Sequence, residues 1–169
     1  IHRFHITARR VFDLAVAVDH LSTLTAIKQQ ISHRWQNPDD PEEFKQHTRA
    51  AIASAECKDM SLTYSVTLQK SFWIGRKVRL YTPNTNCLEV ALSVWTAFYE
   101  NERSLPCKSM IGKPRDLLSR YSPAAIEANW RRFVNLYVGL WDSEDKAGEA
   151  AARLQRLEEA TKTRRARFM

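Results

Sequence analysis

The stretch SPAAIEANWRRFVNLYVGLW, residues 122–141, carries the strongest structural signal in the sequence. Its large apolar residues recur at steps of three and four, which is the spacing of one face of an α-helix. Ser122 is a favourable N-cap, and Pro123 suits the first helical position because it has no amide hydrogen to satisfy. The core-facing stripe of this predicted helix consists of Ile126, Trp130, Phe133, Tyr137 and Leu140, widened by Val134, Val138 and Trp141.

Length and composition are those of a globular protein. The chain has 169 residues, of which 44% are hydrophobic and 27% charged, so it is long enough to bury a core and unlike a disordered segment. It contains only four glycines, which disfavours β-sandwiches, P-loops and Rossmann turns because these use glycine at unusual backbone angles. We therefore expect a single domain in which helix predominates.

Residues 11–18 fit two interpretations. A period of two places one set on a strand face, namely Phe12, Leu14, Val16 and Val18. A period of 3.6 places a different set on a helix, namely Val11, Leu14, Ala15 and Val18. We favour the helix, with Thr7 as its cap. A second helical pattern follows, either continuing this helix or restarting near residues 19–22, and it comprises Leu21, Leu24, Ile27, Ile31 and Trp35.

Two capping boxes predict the next helices. Asp40 fits an N-cap, Pro41 the first position and Glu43 the third, so a helix should run from there to about residue 57. Asn86 and Glu89 have the same spacing. The helix that they open has a strongly apolar face, which we expect to pack on the residue 122–141 helix and which consists of Leu88, Ala91, Leu92, Trp95, Phe98 and Tyr99.

Residues 61–81 are patterned as two antiparallel strands. In the first, Leu62, Tyr64, Val66 and Leu68 alternate with polar residues; in the second, the alternating apolar residues are Ile74, Val78 and Leu80. We predict a turn at residues 69–72 and an outer face of threonines, serine and basic residues. A hairpin alone is marginally stable, so it should lean on helices.

The fold class that these elements predict is α+β, predominantly helical, with about five to six helices and one small antiparallel β-hairpin near residues 61–81. A short helix at residues 113–120 and a final helix capped by Asp142 or Ser143 complete the set. We expect one compact domain over residues 1–169, with a basic N-terminal arm at residues 1–10 and a basic C-terminal tail at residues 160–169. Because the first residue is Ile1, we expect a leader or another domain upstream.

Chemistry-bearing motifs do not stand out. The sequence lacks GxSxG, HExxH, Walker A and dinucleotide-binding patterns, and its five histidines fall on separate predicted elements. Cys57, Cys87 and Cys107 lack CxxC spacing, which favours free thiols in a reducing compartment over zinc ligands. We therefore predict a non-enzymatic protein with no cofactor, no metal and no membrane span. We expect it inside the cell, in the nucleus, cytoplasm or mitochondrial matrix.

The net charge of +7 is unevenly distributed. Residues 61–120 contain nine basic and four acidic residues, a net charge of +5, and four basic residues fall within the last eight. Basic and aromatic residues interleave in KSFWIGRKVRLY, residues 70–81, a combination that suits phosphates and bases. The predicted nucleic-acid-binding residues are Lys70, Phe72, Trp73, Arg76, Lys77, Arg79, Tyr81, Lys162, Arg164, Arg165 and Arg167.

The sequence thus predicts a nucleic-acid-contacting component of a ribonucleoprotein-type assembly. RNA is favoured over DNA because the basic residues lie on a predicted sheet surface and no DNA-reading helix motif is present. Core aromatics at a hairpin end beside ordinary surface charges would produce the same pattern. The alternative is a protein–protein interaction or assembly domain, excised from a larger polypeptide, that uses an aromatic helical face.

Overall fold

A computed structural model of the chain describes residues 3–37, 40–55, 57, 59–69, 79–105 and 121–166. Within these residues the chain forms five helices and one small three-stranded antiparallel sheet, which confirms the predicted predominantly helical α+β class. In chain order the elements are β1 Arg3–Thr7, α1 Leu14–Arg34, α2 Pro41–Ser54, β2 Thr63–Gln69, β3 Arg79–Tyr81, α3 Leu88–Arg103, α4 Pro123–Val138 and α5 Glu144–Ala166. The predicted short helix at residues 113–120 lies outside the described residues.

The helical interpretation of residues 11–18 is confirmed from Leu14 onwards, and α1 continues without a break to Arg34. The predicted cap was wrong. Thr7 ends β1, and Asp13 caps the helix by accepting hydrogen bonds from two amides, Ala15 N at 2.8 Å and Val16 N at 3.2 Å. An aspartate directly before the first helical residue can reach those amides, whereas Thr7 lies too far upstream.

The predicted start of α2 is confirmed, with one change of partner. Asp40 accepts from the amides of Glu42 at 2.9 Å and Glu43 at 3.1 Å, and Pro41 occupies the first position. The Glu43 carboxylate, however, accepts from the amide of Asn37 at 3.1 Å. It therefore ties the preceding loop to the helix start.

The sheet has the order β1-β2-β3, so β2 is central and the segment predicted as a basic arm contributes the strand β1. Strands β2 and β3 are antiparallel, with Leu68 opposite Leu80 and both side chains fully buried. Gln69 still pairs with Arg79. Gln69 therefore belongs to β2 and not to the predicted turn, and the other residues of that turn, 70–72, lie outside the described residues.

The described residues divide into two compact units. One unit contains Phe4–Ser65 and Asn84–Thr96, and its core is an aromatic cluster. Phe44 of α2 lies 4.2 Å from Trp95 of α3 and 4.9 Å from Trp35, measured between ring centroids. Helix α1 packs against α2, where Ile27 is 1% exposed.

An ion pair joins α2 to α3 on the surface of that unit. Arg49 donates from Nε to Glu89 Oε1 and from Nη2 to Glu89 Oε2, each at 2.7 Å. This bidentate contact lowers the pKa of Glu89. Glu89 is thus engaged by Arg49, although its spacing from Asn86 had suggested a capping box.

The other unit includes Val66–Pro83 and the chain from Ala97 onwards, and α4 is its central helix. Ser122 caps α4 through the amide of Ala125, at 3.2 Å. Phe133 is fully buried and lies 5.3 Å from Phe98 of α3, which confirms the expected packing of these two helices. Four of the five predicted stripe residues lie in α4 and are buried, which confirms them as core: Ile126, Trp130, Phe133 and Tyr137. The fifth, Leu140, lies beyond the end of the helix.

Two polar contacts fix α4 to its neighbours. The Tyr137 hydroxyl donates to the carbonyl oxygen of Tyr81 in β3, at 3.0 Å. Trp130 Nε1 donates to Glu158 Oε2 in α5, at 3.1 Å, and Lys162 forms an ion pair with the same carboxylate at 2.7 Å. Hydrogen bonds from Lys162 first, and then from Trp130, lower the pKa of Glu158 against the opposing effect of burial.

Replacing Glu158 should reveal this link between α4 and α5. Glu158→Gln is expected to lower the free energy of unfolding by about 1 kcal/mol at neutral pH, because Trp130 and Lys162 lose a charged acceptor. The folded pKa of Glu158 is lowered, so its stabilising contribution is present above the unfolded pKa and is lost as the pH falls through the folded pKa. The difference from wild type should therefore shrink below about pH 4, measured by urea unfolding with tryptophan fluorescence.

Glu149→Gln is the matched control, since Glu149 is exposed on the same helix. It should leave the free energy of unfolding unchanged both at neutral pH and below about pH 4. A loss of similar size in both variants, or a Glu158→Gln loss that does not depend on pH, would contradict the assignment.

Candidate functional site

Exposed apolar side chains are concentrated in one short stretch. Among the described residues, seven large apolar side chains are exposed, and five of them lie within residues 12–21. Leu14 is 78% exposed and Leu21 is 65% exposed, values ordinarily found for polar residues. Single exposed apolar residues are common on protein surfaces, but a group of them marks an interaction surface. The five are Phe12, Leu14, Val16, Val18 and Leu21.

Three of these residues share one face of α1. Leu14, Val18 and Leu21 follow each other at steps of four and three, so they line adjacent turns on the same side of the helix. We call these three residues the α1 seam. The Asp13 cap fixes the helix start one residue before Leu14, so the first seam residue already has helical geometry. Val16 is exposed on a different side of the helix.

The stretch of sequence that carries the α1 seam is acidic or neutral. Residues 12–27 contain Asp13 and Asp19 but no lysine or arginine. Amphipathic helices that lie on anionic membranes carry lysine and arginine on their polar face, so this segment does not have their pattern. Within the described residues, no helix has the combination of length and hydropathy that crossing a bilayer requires.

The sequence pattern placed Leu14 and Val18 on one helical stripe and Leu21 on a second, but it did not identify these residues as exposed. The apolar positions of α1 cover more than one face, because Ile27 and Ile31 continue a second stripe that turns toward α2. The apolar arc of α1 is wider than one neighbouring helix can cover. This width is the feature of the sequence that could have indicated an exposed apolar row. Periodicity alone does not tell which part of such an arc the rest of the chain covers.

Most of the predicted nucleic-acid-binding residues lie outside the described residues. Lys70, Phe72, Trp73, Arg76, Lys77 and Arg167 are in this group. Arg164 and Arg165 belong to the last turn of α5. The remaining three residues, Arg79, Tyr81 and Lys162, have described surroundings.

Arg79 and Tyr81 are exposed on β3, on either side of buried Leu80. Alternation along the strand therefore places both side chains on the same face, as predicted. Thr67, the register partner of Tyr81, is only 4% exposed, so the outer face that we expected threonines to share is covered at this position.

Lys162 is engaged by a neighbouring acid. Its Nζ lies 2.7 Å from Glu158 Oε1 one helical turn earlier, and this contact raises the pKa of Lys162. The ammonium group is exposed, so a phosphate could still approach it. It would have to compete with Glu158 for the same donor.

The aromatic helical face of the alternative hypothesis is buried inside its unit. Trp130, Phe133 and Tyr137 are each no more than 3% exposed, and they stack along α4. These residues are core. Within the described part of the chain, the exposed large apolar side chains are those of the α1 seam together with Phe12, Val16, Tyr81 and Val90.

Among the described residues, the cysteines and the potential metal ligands do not form a recognisable reactive or metal-binding site. Cys57 and Cys87 are free thiols, and burial raises the pKa of Cys57, which disfavours its reactive thiolate form. In the part of the chain that the structure describes, no three His, Cys, Asp or Glu side chains converge to hold a metal ion. Cys107 lies outside the described residues.

Comparison of the chain with known protein families, with curated proteins and with solved structures finds no match in any of the three.

Substitutions in α1 should separate the exposed seam from the core. Leu21→Gln is expected to change the free energy of unfolding by less than about 0.5 kcal/mol, because Leu21 gains little from burial. Ile27→Ala, two turns further along the helix, should cost about 2–5 kcal/mol because it leaves a cavity against α2. Urea unfolding of both variants measures the difference. A multi-kcal/mol loss in Leu21→Gln would show that the seam is core instead.

Proposed function

We propose that this chain is a non-enzymatic assembly domain that binds an apolar helical segment of a partner protein on the α1 seam. The observation that carries the proposal is the concentration of exposed apolar side chains at residues 12–21. Soluble proteins rarely leave such a group in water unless another surface covers it. A regular helix with apolar side chains at i, i+4 and i+7 is a familiar docking element.

The chemistry of the seam defines its partner. Leu14, Val18 and Leu21 are aliphatic, so a second helix can pack its own leucine or valine side chains between them. Each side chain that becomes fully buried gains roughly 1.5–3 kcal/mol relative to full exposure, and these three are already partly covered. The helical positions that flank the seam are uncharged, so the partner is selected by apolar contact and not by charge.

A synthetic helix tests the proposal without knowledge of the natural partner. The probe is an amphipathic peptide of about three heptads with leucine and valine at its a and d positions. The full chain is immobilised sparsely, so that it cannot pair with itself, and the peptide is passed over it. We expect saturable binding that changes little with salt, because apolar contact is not screened.

The decisive comparison uses two variants that add the same charge to α1. Val18→Glu puts a carboxylate in the middle of the seam and should weaken peptide binding at least about tenfold. Ala26→Glu puts it on an exposed side of α1 away from the seam and should leave binding unchanged. No saturable binding to wild type, or equal binding to wild type and Val18→Glu, would overturn the proposal.

A second candidate function is contact with single-stranded RNA through β3. The observation that favours it is the exposure of Arg79 and Tyr81 on one face of that strand, with Tyr81 55% exposed. A guanidinium for phosphate and a phenol ring for a base are the two elements of a sequence-tolerant RNA contact.

RNA binding is tested with a labelled single strand at low and at near-physiological salt. Wild type should bind at low salt and weaken as salt rises, because counterions are released from the phosphates. Arg79→Glu should lose more affinity for the RNA than Arg156→Glu does. The second variant is the control, because it reverses the same charge at an exposed position of α5. Absence of binding at low salt, or equal losses in both variants, would rule out β3 as the contact site.

A further inference from the structure

We infer that the helix that covers the α1 seam is α1 of a second copy of this chain, so that two copies associate around a two-fold axis next to Val18. This inference rests on the proposed function and names its partner. In a two-fold contact each surface meets its own image, so a seam that is complementary to itself is required.

The order of side chains along α1 meets that requirement. Leu14, Val18, Leu21 and Thr25 are separated by four, three and four residues, which is the a/d spacing of helices that pair with one another. Leucine at d with valine at a is a combination that favours two helices over three or four. Lys28 occupies the next d position and ends the apolar seam.

Charge along the edges of the seam does not oppose self-association. The positions beside it, e and g of the same heptad, are all uncharged: Ala15, Ala17, Ser22 and Leu24. Two identical copies can therefore approach without like charges meeting at these positions. Charged residues at e and g are the usual means by which one helix selects a different helix, and α1 has none there to impose that choice.

The exposed apolar area of the seam determines how tightly two copies are expected to associate. Phe12 and the three seam residues are between 55% and 108% exposed, so together they expose roughly 500 Å² per copy. Two copies would bury about 800–1,000 Å² between them, near the lower limit for specific interfaces. We therefore expect a reversible dimer that dissociates on dilution.

The test measures molar mass against concentration by sedimentation, with the full chain. Wild type should change from monomer to dimer as its concentration rises into the micromolar range, and Val18→Glu should raise the dissociation constant at least about tenfold. Ala26→Glu should associate like wild type. Circular dichroism and urea unfolding confirm that all three proteins fold. A wild type that stays monomeric throughout, or a Val18→Glu variant that associates equally well, would overturn the inference.

A mixing experiment tests whether Val18 of one chain lies next to Val18 of the second chain. In either direction of pairing the axis passes close to Val18, the middle residue of the seam. An equimolar mixture of Val18→Glu and Val18→Lys chains should therefore form more dimer than either variant alone, because opposite charges then face each other. Equal or weaker association in the mixture would overturn the placement of the axis.

The two proposals fail in different ways. A chain that stays monomeric in solution but still binds the probe peptide when immobilised would refute self-association and leave a different partner helix. A chain that does neither would refute both.

Discussion

Burial of the aromatic stripe of α4 is the constraint on which its unit depends. Phe133 is fully buried against Phe98, and Trp130 and Tyr137 stack on either side of it along the helix. Aromatic side chains of this size contribute most of the area that a small core removes from water. The two polar atoms at the ends of the stripe are both satisfied, since Trp130 Nε1 reaches Glu158 and the Tyr137 hydroxyl reaches Tyr81. The stripe thus sets the positions of α3, α5 and β3 around α4.

Local chemistry explains which elements could be predicted from sequence. Helix starts at Asp40 and Ser122 depend on a side chain three residues or fewer from the amides that it caps, so their signal is contained in a few letters. Register and strand partners depend on distant residues. The strand β1 shows alternation over only five residues, which is too short to distinguish from a basic arm. The β2–β3 pairing includes Gln69, which the local pattern assigns to a turn.

The candidate surfaces were less predictable than the fold, for a physical reason. Periodicity reveals that α1 is apolar along several adjacent rows, but exposure depends on what the remainder of the chain covers. Leu21 and Ile27 are both aliphatic residues of the same helix, and one is 65% exposed while the other is 1% exposed. Composition pointed to aromatic and basic residues as the means of interaction. Within the described residues most large aromatic side chains are buried, although Phe12 and Tyr81 are exposed, and the α1 seam is aliphatic.

The hydrogen bond from Tyr137 to the carbonyl oxygen of Tyr81 bears on how this chain avoids misassembly. In the described sheet β3 is an edge strand, and an edge strand presents unpaired backbone groups that can template the addition of a strand from another molecule. The Tyr137 hydroxyl occupies one of those acceptors from the side, so a foreign strand would have to displace it to extend the sheet. A side chain of the core helix thereby covers one acceptor of a strand edge that could otherwise pair with a strand from another molecule.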